Sequence, residues 1–149
     1  MPAPQVEAKI RRARQADAPR IATLCGQLGY PTTATEMAVR LKSVLRQKNA
    51  VCFVAEKKED GVIGWIHASV RPLLEVDRRA DVDGLVVDDK VQGQGAGAGL
   101  LDAAEKWARK RGCVGMSVRS NVIRDSAHRF YLKQGYEHYK TQKAFRKTL

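Results

Sequence analysis

The amino-acid sequence predicts a mixed α and β fold that combines antiparallel hairpins with one β-α-β crossover. Three observations carry this. Apolar residues recur at helical spacing in four segments and at strand spacing between them, in the order βααβββαβαβ. The turn-forming Glu59-Asp60-Gly61 separates two apolar runs closely enough to fold them back on each other. From Leu85 to Val118 a strand, a glycine-rich loop, a helix and a second strand follow in succession, which is a crossover unit. The 149 residues fit one domain, taken as 1–149, and no repeat or linker-like stretch divides them. With 44% of residues hydrophobic, the chain can form a core without a metal or disulfide staple.

Each element has its own signal. Lys9 to Arg14 reads as a first strand. Asp17 suits a helix N-cap, Pro19 suits the first turn, and Ile21, Leu24, Cys25 and Leu28 form an apolar stripe that Gly29 ends. Thr33-x-x-Glu36 is a capping-box pattern for a second helix, with Met37, Leu41, Val44 and Leu45 on its inner face. Val51-Cys-Phe-Val-Ala55 is a short buried strand. Val62 to Val70 alternates, placing Trp65, His67 and Ser69 on one face and Ile66, Ala68 and Val70 on the other. Asp81 to Val87 is the next strand. The helix after Gly93 to Gly99 turns Leu100, Leu101, Ala104, Trp107 and Ala108 inward, and Gly112 stops it. Val114 to Val118 is a strand and Asp125 to Gln134 a helix. Alternating apolar residues from Tyr136 and Tyr139 onward predict a closing hairpin.

Composition narrows the function. Twenty-seven Lys or Arg against 16 Asp or Glu give a net charge of +11, which favours an anionic partner without naming it. The charge is uneven: residues 75–89 hold six acids against two arginines, so this segment is −4 and the rest +15. No stretch is long and apolar enough to span a membrane, and the first nine residues lack a signal-peptide core, so the expected location is cytoplasmic. Cys25, Cys52 and Cys113 are odd in number and far apart, which fits free thiols; with three scattered histidines they make no metal pattern.

The chemically informative segment is Leu85-Val-Val-Asp-Asp-Lys-Val-Gln-Gly-Gln-Gly-Ala-Gly-Ala-Gly-Leu-Leu101. Glycine lets backbone N–H groups approach a ligand, and the N-terminus of the following helix adds partial positive charge, so the loop suits a phosphate or pyrophosphate. A P-loop would need Lys-Ser/Thr after Gly99, where Leu100 stands. A dinucleotide site would need an acid about 20 residues on, and none lies between Glu105 and Asp125.

Gln92-Gly-Gln-Gly95-Ala-Gly97 resembles the Gln/Arg-x-x-Gly-x-Gly/Ala signature of the GNAT superfamily of acyl-CoA N-acyltransferases. Asp83-Gly-Leu-Val-Val87 before it and Ala127-His-Arg-Phe-Tyr-Leu-Lys-Gln-Gly-Tyr136 after it are similar to neighbouring motifs of that family. The resemblance implies a central mixed, mostly antiparallel sheet flanked by helices, with acetyl-CoA as acyl donor and no metal. The pantetheine arm would then lie along Leu85, Val86 and Val87, and the pyrophosphate on the amides of Gln92, Gly93, Gln94, Gly95, Ala96 and Gly97. Asn121, Arg124, Ala127, Phe130 and Lys133 complete the implied cofactor set. Many relatives carry Arg at the position of Gln92 and a basic residue at that of Ala98, so either the amide dipoles carry more of the pyrophosphate binding, with modest CoA affinity, or Lys90, Arg124 or Lys133 supplies the missing charge.

The chemistry asks for a neutral amine, a stabilised oxyanion and a proton for the departing thiolate. A free alkylamine is protonated at pH 7, so a base or a pKa-lowering pocket is needed. Asp81, acting through a water, is the first candidate, and Asp83 on the same strand face is the alternative. Each is equally consistent with a carboxylate paired to Arg78 or Arg79. Tyr131, of the family's Phe-Tyr pair, is the candidate general acid, although Ala127, Phe130, Tyr131 and Gln134 also have core spacing. A backbone N–H near Val86 suits the oxyanion. His67 fits either an acceptor pocket or an ordinary strand position.

The acceptor expected from the acidic segment is a cationic primary amine on a small molecule or peptide. Two other readings compete: a CoA-binding relative without catalysis, and a nucleic-acid-binding module. The low aromatic content, 6%, and the absence of a nucleic-acid motif weigh against the last. The resemblance admits a homodimer, which no residue pattern encodes.

Overall fold

The structure, a computed structural model, describes residues 8–149; the leading segment examined for a targeting signal lies almost wholly outside them. The described chain divides into residues up to Val118 and Arg119–Leu149, which are treated separately.

In the first unit, five strands form one sheet in sequential order: β1 (Lys9–Arg12), β2 (Ala50–Lys57), β3 (Gly61–Val70), β4 (Arg79–Val87) and β5 (Gly115–Val118). The first four are antiparallel and β5 joins β4 in parallel, which a crossover through a helix allows. Helix α1 (Ala18–Leu28) and α2 (Ala34–Arg46) precede β2, and α3 (Ala96–Lys110) makes the crossover.

The sheet is covered on both faces. Cross-strand partners share a face, so Val54, Trp65 and Val86 lie together, and all three join Ile21, Leu24, Met37 and Leu41 of α1 and α2 in one apolar cluster. Gly64, next along β3 from Trp65, turns the other way: a Cβ there would meet Leu100 of α3 at 3.2 Å. Leu100 and Leu101 are fully buried, as are Ile63 and Ile66. The expected inner face of α3 is therefore the observed one.

Helix ends follow the sequence closely. Gly29 closes α1 with φ 104°, in the left-handed region glycine tolerates. Thr33 and Glu36 form the capping box of α2. Three details differ. Asp17 stands at the N-cap of α1 as expected, but its side chain makes no capping bond; its carboxylate instead accepts from the Arg14 N–H and from both terminal nitrogens of the Arg11 guanidinium. Charge-assisted bidentate bonds outcompete an ordinary cap. Leu45 is 41% exposed, because α2 ends one residue later and its last turn leaves the core. β1 ends at Arg12, where the chain turns toward α1.

The second unit contains α4 (Asp125–Lys133), as expected apart from its last residue. The closing hairpin does not form among the described residues: residues 136–149 carry neither helix nor strand. Tyr139 and Phe145 are 69% and 91% exposed. Alternation only marks which side of a strand would be apolar; a ladder also needs a partner strand, and residues 136–149 join no ladder among the described residues.

Candidate active site

The central feature is the end of a pairing. β4 and β5 run in register only from Arg79↔Gly115 to Val82↔Val118. β4 then continues from Asp83 to Val87 with no partner strand on that side among the described residues, although β3 stays paired on the other. Along Leu85, Val86 and Val87 the edge of β4 away from β3 is thus free of a partner strand and suits an extended amide-bearing ligand, with the Val87 carbonyl shared with the Gln92 side chain.

This edge runs into the glycine loop. Asp88 is buried, donates its N–H to the Ile63 carbonyl, and accepts from the Lys90 N–H to start a short 3₁₀ turn, Asp89–Val91. Its carboxylate is paired with Arg20 of α1, while Gln27 accepts from the Asp89 N–H at 3.0 Å. Hydrogen bonds, led by the one from the Lys90 N–H, hold the Asp88 carboxyl below the usual carboxylate range. The Gln92 side chain bonds back to the Val87 carbonyl and the Asp89 carboxylate, so it clamps the loop while its backbone stays with the cradle.

Gly93 and Gly95 then take φ 81° and 86°, which L side chains rarely adopt. Gly95 is the N-cap of α3 and supplies no side-chain acceptor. The first-turn N–H groups at Ala96, Gly97 and Ala98 therefore point out of an uncapped helix end with no acid in its first turn. Such a cradle fits a pyrophosphate. One cation does reach the loop: Lys57, at the end of β2, places its ammonium against the Gln94 side chain. Sequence reasoning had no route to it, because 37 residues separate the two.

A second cluster occupies the α1-side face of β3 and β4. His67 pairs in register with Gly84, and the shift between His67 and Ala68 leaves Asp83 as a bulge residue. Asp83 accepts from the Ser69 hydroxyl at 2.5 Å and lies 3.7 Å from His67 Nε2. Asp81, opposite Ser69 in the ladder, is paired with Arg71 at 2.9 Å. Arg78 donates to the Arg111 carbonyl. Burial pushes the His67 pKa down, with Asp83 opposing, so its imidazole is neutral at pH 7. Gly84 leaves room for a ring: a Cβ there would sit 2.9 Å from the Trp65 indole, which would have to shift.

Within the second unit, Asn121, Arg124, Ala127, Phe130, Tyr131 and Lys133 lie on α4 and the turn before it. Asn121 caps that turn by accepting from the Ile123 N–H, and its carbonyl contacts His128 Nε2 at 2.8 Å. Arg124 and Lys133 are exposed, whereas Ala127, Phe130, Tyr131 and Gln134 form the half-buried stripe. Tyr131 packs edge-on to Phe130 and Tyr136, at 5.2 and 5.8 Å between centroids. Burial raises its pKa, against a smaller lowering by Arg124.

Similarity to known proteins agrees with this geometry. The profile of the Acetyltransferase (GNAT) family matches residues 10–136. The chain is 28% identical over 103 residues to aminoglycoside N(6')-acetyltransferase type 1 of Klebsiella aerogenes, covering 67% of this chain and 68% of that protein. It is 39% identical over 66 residues to aminoalkylphosphonate N-acetyltransferase of Salmonella typhimurium, 43% of each chain. Among solved structures, aminoglycoside N-acetyltransferase AAC(6')-Iy in complex with CoA superposes with a TM-score of 0.85 at 18% identity, over 99% of both chains.

Proposed function

The chain belongs to the Acetyltransferase (GNAT) family, and on that premise we propose that it transfers the acetyl group of acetyl-CoA to the primary amine of a small cationic acceptor. The observation that carries the reading is the open edge of β4, bounded by two carboxylates at one end and an uncapped glycine cradle at the other. One strand then spans the distance between an acid-lined amine position and a phosphate position.

Acetyl-CoA supplies an electrophilic thioester. Gln92, Gly93, Gln94, Gly95, Ala96 and Gly97 would hold its pyrophosphate through backbone N–H groups, with Lys57 adding charge, and Leu85 to Val87 would pair with its extended arm. Asn121, Arg124, Ala127, Phe130 and Lys133 make up the remaining cofactor contacts of this reading. Asp81, through a water, takes the proton from the attacking amine. Asp83, carrying the Ser69 hydroxyl and facing neutral His67, is the competing base. A backbone N–H near Val86 stabilises the oxyanion. Tyr131, whose burial keeps it protonated at neutral pH, gives a proton to the thiolate.

The segment 75–89 favours a cationic acceptor, and two relatives named for aminoglycoside and aminoalkylphosphonate acetylation support a small molecule over a peptide. The test is thiol release from acetyl-CoA with a panel comprising an aminoglycoside, an aminoalkylphosphonate, a polyamine and a lysine peptide. Turnover of a small amine at least tenfold above the peptide is expected. Stabilisation by acetyl-CoA without release on any amine would move the reading to a CoA-binding protein that does not catalyse.

A further inference from the structure

At the end of the sheet away from the glycine loop lies a cleft that the proposed reaction does not use. It has a volume of about 220 Å³ and is lined by Arg12, Lys48 and Arg111 over an apolar floor that includes Val44, Val51 and Cys52. Its place is fixed by direction. β2 and α3 each have one end at the loop, through Lys57 and Gly95, and their other ends, Ala50–Cys52 and Arg111, are at the cleft. A 15-residue helix separates the two places by roughly 22 Å.

The charged residues that line the cleft, Arg12, Lys48 and Arg111, are all cations. No carboxylate lines the cleft among the described residues. Arg46 stands in the last turn of α2, and Arg109 and Lys110 in that of α3. Two helix C-termini contribute only about half a negative charge each, so these cations outnumber what the helix ends need. Two of the lining guanidiniums are also held in place by rings: Arg12 lies 5.8 Å from the Phe53 centroid and Arg111 5.5 Å from that of Trp107. Stacked guanidiniums lose less freedom on pairing with an oxyanion. Beneath Arg111, the indole N–H of Trp107 is buried without a partner. The floor is inert, since burial pushes the Cys52 thiol up to about 12 and keeps it neutral.

We propose that this cleft is a second small-molecule site, which takes the phosphate-monoester group of a short-chain metabolite between Arg12, Lys48 and Arg111. Its volume equals roughly seven waters, enough for a phosphate and a few carbons but tight for a nucleotide. Arg pairs with phosphate oxygens two at a time, and the apolar floor accepts the carbon chain.

The inference is independent of acetyl transfer, and so is its test. Glycerol 3-phosphate, inorganic phosphate, succinate and glycerol are titrated into the full chain at constant ionic strength, by calorimetry and tryptophan fluorescence. Glycerol 3-phosphate should bind at least tenfold more tightly than succinate or glycerol, with a change in emission from Trp107. Binding should persist with saturating acetyl-CoA and weaken at least tenfold in Lys48→Gln and in Arg111→Gln. Lys48 is exposed, so that variant is expected to fold, and unchanged thermal stabilisation by acetyl-CoA checks it. Unaltered affinity in Lys48→Gln and Arg111→Gln, displacement by acetyl-CoA, or equal affinity for succinate would overturn the proposal.

Discussion

Individual side chains on the β3–β4 face separate two modes of holding a carboxylate. Asp81 is tied to a guanidinium, while Asp83 accepts a hydroxyl and faces a neutral imidazole. The proposed roles therefore predict different mutants. Asp81→Asn should lower kcat by about 10²-fold, the scale of one positioned base, with KM for acetyl-CoA within about threefold. If steady-state kinetics find Asp81→Asn unaffected and Asp83→Asn impaired, the role passes to Asp83. Tyr131→Phe should lower kcat by a similar ~10²-fold with its fold intact, and wild-type turnover by that variant would falsify the acid assignment. Burial that lowers the His67 pKa also has a thermodynamic sign. Below about pH 6.5 the unfolded chain binds a proton that the folded one resists, so stability falls as pH drops through that value. Thermal melts of His67→Gln should lose this step.

At the scale of elements, the loop and β4 are set by backbone conformation more than by side-chain contacts. Gly95→Ala would force a Cβ into φ 86°, a strain of roughly 1–2 kcal/mol, at the residue that starts α3. Acetyl-CoA affinity, followed by thermal shift, should fall about tenfold or more while circular dichroism stays native. Gly84→Ala tests packing instead. Its Cβ would meet the Trp65 ring at 2.9 Å, and that ring is fixed by its N–H bond to the Ile21 carbonyl. Overpacking of this kind costs about 1–3 kcal/mol, read as a lower denaturation midpoint. The glycine pattern made the loop legible in the sequence, because φ > 0 and an uncapped helix start are local demands. The open edge of β4 was not legible. Asp81 to Val87 looks the same whether its neighbour stays beside it or leaves at Val82, and only the four-residue length of β5 decides that.

For the molecule as a whole, Arg11 is a junction: it reaches Asp17 before α1 and Glu56 on β2. Arg11 holds the Asp17 carboxyl below its ordinary value, against the opposing effect of burial. This contribution is present above about pH 4 and is lost as pH falls through the lowered value. Asp17→Asn should therefore cost about 1–3 kcal/mol at pH 7, with the difference from wild type shrinking in acid, as measured by urea unfolding. The net charge of +11 also divides by place: the acids of residues 75–89 run from the loop before β4 through that strand to the turn after it, while cations collect at the ends of α2 and α3. By itself, the sequence determined what depends on residues close along the chain: the helix stripes, the capping box of α2, the stop at Gly29 and the phosphate-cradle glycines. The tertiary structure alone decided which distant residues meet: Arg71 with Asp81, Lys57 with Gln94, Arg12 with Arg111 around one cleft. Periodicity and turn chemistry act over a few residues, whereas ion pairs and ladder ends depend on where the folded chain returns, which no local pattern records.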